Sequence, residues 1–127
     1  MGDYDKRMER GLEILKQLGW PDDAMDKTKK AFPEFWDMTV GHLFGDVWAR
    51  PGLSLREREL VTMAALIALA RPVGLEPHFR NCSHIGITKE EIQEIILQVG
   101  HFAGWNAAVH AIFQLTEALE KNDSESS

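Results

Sequence analysis

Apolar residues recur at intervals of three and four along most of the chain, a pattern that predicts amphipathic α-helices. The first helix is predicted over residues 5–18, before Pro21, and a short second one over residues 22–31. Pro33 suits the first turn of a third helix, because its missing N–H would have no helical partner there. The first part of the chain is therefore predicted to be helical up to a turn at residues 50–52.

The clearest helix start lies at Ser54, which fits a capping box with Glu57. Behind it, residues 60–70 place apolar side chains on every face, so this helix is predicted to be buried all round. A buried strand competes for this segment, but alanine, leucine and methionine dominate and the run is long, which favours a helix. Pro72 is predicted to end it.

Further helices are predicted towards the C-terminus. One covers residues 75–85 and is closed by Gly86, and the next starts at Thr88, whose capping box uses Glu91. The last helix is capped by Asn106. The apolar positions predicted to be buried in these last two helices are Ile92, Ile95, Ile96, Val99, Phe102, Val109, Ile112, Phe113 and Leu119.

Composition and charge limit the possible functions. The 127 residues suit one globular domain, which we assign to residues 1–121, with residues 122–127 as a frayed acidic tail. A net charge of −6 argues against nucleic-acid binding and against docking on an anionic membrane, and no apolar run approaches the ~20 residues of a membrane span. The single cysteine cannot form an intrachain disulfide and, without a signal-peptide pattern, indicates a cytoplasmic protein.

Three residues are candidates for chemistry. Glu59 lies at the entry to the apolar helix, where it is either a paired or functional buried carboxylate or a rim residue that stabilises the helix N-terminus. His78 and Cys82 are four residues apart and share a helix face. That spacing allows a metal site or a nucleophilic pair, but a packed histidine and a buried thiol are the commoner outcome, and we expect no metal.

The sequence positions of two further residues are compatible with several roles. Arg80 lies either on a solvated face or in a clamp for a carboxylate. Trp105 lies between two helices, as part of the core, an interface or the apolar wall of a substrate pocket. The glycine-rich and nucleophile-elbow motifs of dinucleotide, P-loop and α/β-hydrolase enzymes do not occur in the sequence, so those functions have no support.

Four segments in order resemble the carboxymuconolactone decarboxylase family. They are RPGLSLRERELVT (50–62), HFR (78–80), GITKEEI (86–92) and AGWNAA (103–108), and the resemblance extends over about residues 35–120. It implies an all-α fold, a compact domain of the alkylhydroperoxidase D-like type with about six helices. It also implies a homo-oligomer, a hexamer or trimer with active sites near subunit contacts, which agrees with the many large aromatic residues in a short chain.

The resemblance also separates two chemical branches. In the peroxidase branch a glutamate, a CxxC pair and a histidine form a relay; in register, the glutamate falls on Glu59 and the histidine on His78, but the cysteines fall on Arg71 and Gly74. The chain therefore resembles the decarboxylase branch, which keeps the glutamate and the histidine only. It departs from that branch at Gly74, where glutamate is common, and at Asn106, where proline is frequent.

The implied function is that of a carboxy-lyase without a cofactor, acting on a small carboxylated lactone or ring acid in aromatic catabolism. The archetypal family reaction converts 4-carboxymuconolactone to the β-ketoadipate enol-lactone and carbon dioxide. His78 is the expected proton donor, since histidine titrates near neutral pH, and Glu59 orients it or relays its proton. The expected substrate-binding residues are Arg80, Cys82, Trp105 and His110.

Two alternatives stay open at this point. One is a thiol-dependent antioxidant protein that uses Cys82, although the CxxC pair is missing. The other is a non-catalytic oligomer that binds a small molecule. A meeting of Glu59 and His78 in apolar surroundings would favour the enzyme.

Overall fold

The computed structural model describes residues 2–71 and 73–126, with only the backbone of Ser126. Regular secondary structure in these ranges is helical throughout, which confirms the all-α prediction. The helices are α1 (Asp3–Gln17), α2 (Asp26–Ala31), α3 (Pro33–Asp37), which continues as a π-helix (Met38–Trp48), α4 (Leu55–Leu69), α5 (Leu75–Asn81), which continues as a 3₁₀-helix (Cys82–Ile85), α6 (Lys89–Ala103) and α7 (Trp105–Ser126). Within the part of the chain described, none of these helices is long and apolar enough to cross a membrane.

The helices form two compact units, one ending at Leu55 and the other beginning at Arg56. In the first unit, α1 packs closely against the π-helix. A Cβ atom on Gly11 would overlap the carbonyl oxygen of Val40, so glycine allows the two backbones to approach. Beside this contact, Nε of Arg10 donates a hydrogen bond of 3.0 Å to the carbonyl oxygen of Gly45.

The second unit contains an apolar core to which α4 contributes Met63 and Ile67, both fully buried. The four-residue spacing of these two side chains defines one buried stripe. On the other faces, Val61 and Leu69 are 60% and 59% exposed, so the prediction that α4 is buried all round was wrong. Pro72, the predicted end of that helix, lies outside the described residues, and α4 ends at Leu69.

Small residues form the buried face of α7. A Cβ atom on Gly100 of α6 would lie 2.9 Å from the Cβ of Ala108, so α6 and α7 approach too closely for large side chains there. The large side chains point outward instead: Phe102, Ile112 and Phe113 are 85%, 48% and 68% exposed, and the prediction that they are buried was wrong. Val109 is exposed as well. The buried residues of α7 are Ala107, Ala108, Ala111, Leu115 and Ala118.

The helix ends agree with the sequence at α6 and differ at α7. Thr88 and Glu91 form the predicted capping box, with the Glu91 N–H donating to Oγ1 of Thr88 at 3.1 Å. α7 already begins at Trp105, so Asn106 lies inside its first turn and is not the cap that was predicted. α7 also continues to Ser126, so residues 122–126 are helical where a frayed tail was expected.

Candidate active site

A buried glutamate and a partly buried histidine meet in the second unit. Glu59 of α4 is 2% exposed, and its Oε1 atom accepts a hydrogen bond from Nδ1 of His78 on α5. A carboxylate removed from water needs such a partner, because an unpaired buried charge is strongly unfavourable. Of the two roles left open for Glu59, the structure therefore shows the paired, buried one.

Apolar packing fixes the two helices that carry the pair. Glu59 lies one turn before the core residue Met63 on the same face of α4. On α5, His78 is followed by Phe79, which is 4% exposed and belongs to the same core. The pair therefore lies directly beside apolar side chains, where hydrogen bonds and charges act more strongly than in water.

An ion pair anchors the start of α4. Arg56, one turn before Glu59, pairs through Nη2 with Oε2 of Glu91. The same carboxylate accepts a hydrogen bond of 3.0 Å from the Thr88 backbone N–H through Oε1. Because Arg56 and Thr88 both hold Glu91, its pKa is lowered from the ordinary value. This contact ties the turn that precedes Glu59 to the first turn of α6.

The geometry suits proton transfer. Glu59 engages Nδ1 of His78, which sets the orientation of the imidazole ring and the place of one of its protons. The other ring nitrogen, Nε2, is the atom that can give a proton to a substrate or take one from it. A histidine oriented by a carboxylate is a recurrent arrangement for general acid–base catalysis.

Comparisons with known proteins identify the family of the chain. The model of the carboxymuconolactone decarboxylase family matches residues 33–117, a range that includes Glu59 and His78. The chain belongs to the carboxymuconolactone decarboxylase family. It is 36% identical over 112 residues to the 4-carboxymuconolactone decarboxylase of Acinetobacter baylyi, with 84% of each chain covered. It is 32% identical over 112 residues to the nitrosuccinic acid decarboxylase of Metarhizium robertsii, covering 86% of this chain and 78% of that protein.

The backbone conformation at Gly74 accounts for one departure from the decarboxylase branch of the family. Gly74, where that branch commonly has glutamate, precedes α5 with φ at 105°. Residues with a Cβ rarely adopt this conformation, so glycine suits the turn into α5. The glutamate that this chain places on α5 is Glu76, and it is 6% exposed.

Cys82 does not have the environment of a reactive thiol. It is 2% exposed, and its Sγ–H donates a hydrogen bond of 3.3 Å to the carbonyl oxygen of Phe79. Burial, followed by the negative charge of Glu59, raises the pKa of Cys82 to about 12. These features argue against the thiol-dependent alternative, because the thiolate is the reactive species. Cys82 instead acts as a small core residue below the Glu59–His78 pair.

Arg80 has two carboxylates beside it. Its Nε lies 3.6 Å from Oε1 of Glu76, and its Nη1 lies 3.4 Å from Oε1 of Glu125. These contacts favour a structural role for Arg80 over the clamp for a substrate carboxylate that the sequence suggested.

Trp105 belongs to a different feature of the second unit. It is 61% exposed, packs edge-on against His101 and lines an open groove of about 590 Å³ between α6 and α7. Neither Glu59 nor His78 lines this groove. The structure thus brings Glu59, His78 and Cys82 together, whereas Trp105 lies on another surface of the unit.

His110 was the remaining residue expected at the site, and no metal was expected there. His110 is partly buried on α7, and its Nδ1 has no hydrogen-bond partner among residues 2–71 and 73–126. Across the same residues, no group of three or more histidine, cysteine, aspartate or glutamate side chains is arranged to hold a metal ion.

The polar contacts that hold α5 were not among the predicted features. Glu76 and Asn81 are buried polar residues of this helix, and Lys121 of α7 lies 3.4 Å from Oε1 of Glu76. The four-residue spacing of Glu76 and Arg80 is a signal for an ion pair on one helix face. No comparable spacing indicates Lys121, which lies 45 positions after Glu76 in the chain.

Proposed function

We propose that this chain is a carboxy-lyase that removes carbon dioxide from a small carboxylated lactone or related ring acid, without a cofactor. The observation that carries the proposal is the hydrogen-bonded, buried Glu59–His78 pair in a chain of this decarboxylase family. The 36% identity to a 4-carboxymuconolactone decarboxylase supports a lactone acid as the first substrate to test.

The reaction needs two events, the loss of the carboxylate from one ring carbon and the protonation of the conjugated system that remains. The bond between the ring carbon and its carboxylate breaks, carbon dioxide leaves, and the electron pair of that bond delocalises into the conjugated carbonyl group of the ring. The ring then accepts one proton on carbon, so each turnover consumes one proton. Apolar surroundings favour the first event, because the starting carboxylate carries more localised charge than the transition state.

His78 is the proton donor in this proposal. Nε2 delivers the proton to a carbon of the delocalised enolate, while the hydrogen bond from Nδ1 to Glu59 holds the imidazole plane in place. Glu59 is the orienting partner. It also stabilises the positive charge that the His78 imidazole carries before it transfers its proton. Oriented general acids of this kind contribute rate factors of about 10² to 10⁴.

The reaction class has broader support than any one substrate. The two relatives are both named decarboxylases, yet one name refers to a carboxymuconolactone and the other to nitrosuccinic acid. A non-catalytic binding protein would not require a carboxylate to be buried against a histidine, so the Glu59–His78 pair favours the enzyme.

The proposal is tested by a decarboxylation assay on the full chain. 4-Carboxymuconolactone, nitrosuccinate and related carboxylated lactones are supplied, and carbon dioxide release is measured. We expect at least one lactone acid to be turned over, and His78→Ala to reduce kcat by about 10²-fold or more while the helical circular-dichroism signal is kept.

His101→Gln is the matched histidine control. His101 is exposed on α6, and its Nδ1 donates a hydrogen bond of 2.7 Å to the carbonyl oxygen of Leu97. This variant is therefore expected to keep the wild-type rate. Near-normal activity of His78→Ala, or a failure to release carbon dioxide from every acid supplied, would contradict the proposal.

A further inference from the structure

We infer that the last turns of α7 position His78, because Lys121, Asn122 and Glu125 hold the opposite side of the helix that carries it. We call these three residues the α7 latch. They contact α5 through Glu76 and Arg80, so their proposed role is positioning and not catalysis. The kinetic part of this inference rests on the proposed decarboxylase function, whereas its geometric part does not.

Helix geometry places the latch behind His78. Successive residues of an α-helix are about 100° apart, so Glu76 and Arg80, each two positions from His78, both point about 200° away from it. His78 faces Glu59 of α4, and the side with Glu76 and Arg80 faces α7. α5 is thus held from two opposite sides by polar contacts.

Three contacts make up the latch. Nζ of Lys121 lies 3.4 Å from Oε1 of Glu76. Nδ2 of Asn122 donates a hydrogen bond of 3.3 Å to the backbone carbonyl oxygen of Arg80, and the Glu125 carboxylate lies 3.4 Å from the Arg80 guanidinium. The latch therefore contacts α5 at the buried side chain of Glu76 and at the carbonyl group and guanidinium of Arg80.

The contact of Lys121 matters because its partner, the Glu76 carboxylate, is buried. The Glu76 side chain is 8% exposed, and among the described residues Arg80 at 3.6 Å and Lys121 at 3.4 Å are its cationic neighbours. Loss of Lys121 would leave this buried carboxylate with one cation at the longer distance. A buried charge that loses its partner forces rearrangement, whereas removal of both charges together is far less harmful.

The shortness of α5 makes its rotation sensitive to such contacts. The helix has seven residues, too few to be stable on its own, so packing and polar contacts decide its orientation. A rotation of about 10° moves a side chain about 6 Å from the helix axis by roughly 1 Å. Misplacement of a catalytic group by about 1 Å can reduce a rate by about 10²-fold.

The test uses Lys121→Met, which keeps an apolar stem but removes the ammonium group. We expect kcat for the decarboxylated substrate to fall by about 10-fold with KM changed by less than about twofold, since the chemical step and not binding is affected. The imidazole ¹⁵N signals of His78, assigned with His78→Gln, are expected to shift in the same variant without any substrate present.

Three matched variants separate positioning from a general loss of stability. Lys121→Arg keeps the cation, and Glu117→Gln removes the exposed carboxylate 3.3 Å from Lys121 on α7, so both are expected to behave as wild type. The double variant Glu76→Gln with Lys121→Met removes the buried carboxylate together with its cationic partner and is expected to recover most of kcat and the wild-type His78 signals. If Lys121→Met does not fold, Asn122→Ala carries the same test, because it leaves Glu76 paired.

The outcomes distinguish this inference from the proposed function. Wild-type kcat and unchanged His78 signals in Lys121→Met would overturn the latch and leave the decarboxylase proposal standing. Equal losses in Lys121→Met, Lys121→Arg and Glu117→Gln would also overturn it. If the chain decarboxylates none of the acids but the His78 signals shift in Lys121→Met and not in Lys121→Arg, the latch stands and the proposed function falls.

Discussion

Glu59 and His78, 19 positions apart in the chain, are joined by a hydrogen bond between Oε1 and Nδ1, and Glu59 is almost completely buried. The bond joins α4 to α5 and, in the proposed mechanism, leaves the role of proton carrier to Nε2 of the histidine. Because the carboxylate has no access to bulk water, its charge acts on the imidazole with little screening. The two residues therefore form one hydrogen-bonded pair.

The first prediction concerns the charge of Glu59. Glu59→Gln keeps the size of the side chain but removes the charge, and we expect kcat to fall by on the order of 10²-fold because the imidazole loses its orienting carboxylate. The same substitution at Glu120, an exposed residue of α7, serves as the control. Steady-state kinetics of both variants check the prediction, and a Glu59→Gln rate within twofold of wild type would show that the carboxylate has no catalytic role.

The second prediction is that the Cys82 thiol is unreactive in the folded protein and has no role in catalysis. With its pKa raised to about 12, the thiol is ionised to only about one part in 10⁵ at pH 7. We expect a thiol reagent to modify Cys82 only after the protein unfolds, and Cys82→Ala to keep the wild-type decarboxylation rate. Consumption of peroxide with a dithiol reductant, lost in Cys82→Ala, would instead support the antioxidant alternative.

Local interactions explain why some features could be predicted from the sequence. The Thr88 capping box and the left-handed Gly86 that closes the preceding 3₁₀-helix depend on residues within a few positions of one another. The Glu59–His78 pairing is long-range, and periodicity alone left Glu59 with two possible roles. The family resemblance singled out both residues, and the structure brings them together.

Tertiary contacts explain what the sequence could not predict. Four of the five buried residues of α7 are alanines, and Gly100 brings α6 close to Ala108. A pattern based on large apolar residues selects Ile112 and Phe113 instead. Likewise, the partners of Arg80 on α7 lie more than 40 positions away in the chain. Neither contact follows from the spacing of nearby residues.

The third prediction concerns the capping box at the start of α6. Thr88→Ala removes the hydroxyl that accepts the Glu91 N–H, and we expect a loss of about 1 kcal/mol in the free energy of unfolding. Thr88→Ser keeps the hydroxyl and should be close to wild type. Urea unfolding of the three proteins checks this, and equal losses in both variants would show that packing of the threonine methyl group matters and not the cap.

The fourth prediction is the pH dependence of the Arg56–Glu91 contact. Because the Arg56 hydrogen bond and then the Thr88 contacts lower the pKa of Glu91, its folded-state value lies below its unfolded value. Its stabilising contribution is therefore complete above the ordinary glutamate pKa and is lost as the pH falls through the lowered value. We expect Glu91→Gln to be less stable than wild type at pH 7, with the difference shrinking towards pH 3. A difference that stays constant over this range would contradict the linkage.

The fifth prediction returns to the homo-oligomer. Along one side of α7, Trp105, Val109 and Ile112 are 61%, 37% and 48% exposed and line the groove with Leu97 of α6, which is 49% exposed. Apolar surfaces of this kind commonly mark contacts with another chain, and we propose that a second copy covers this one. Sedimentation equilibrium is then expected to give the mass of a trimer or a hexamer of the 14.4 kDa chain. Ile112→Glu should lower that mass, because it would bury a charge in the contact, whereas Ile112→Val should keep it. A wild-type monomer at micromolar concentration, or an Ile112→Glu protein of unchanged mass, would show that this face is not the contact.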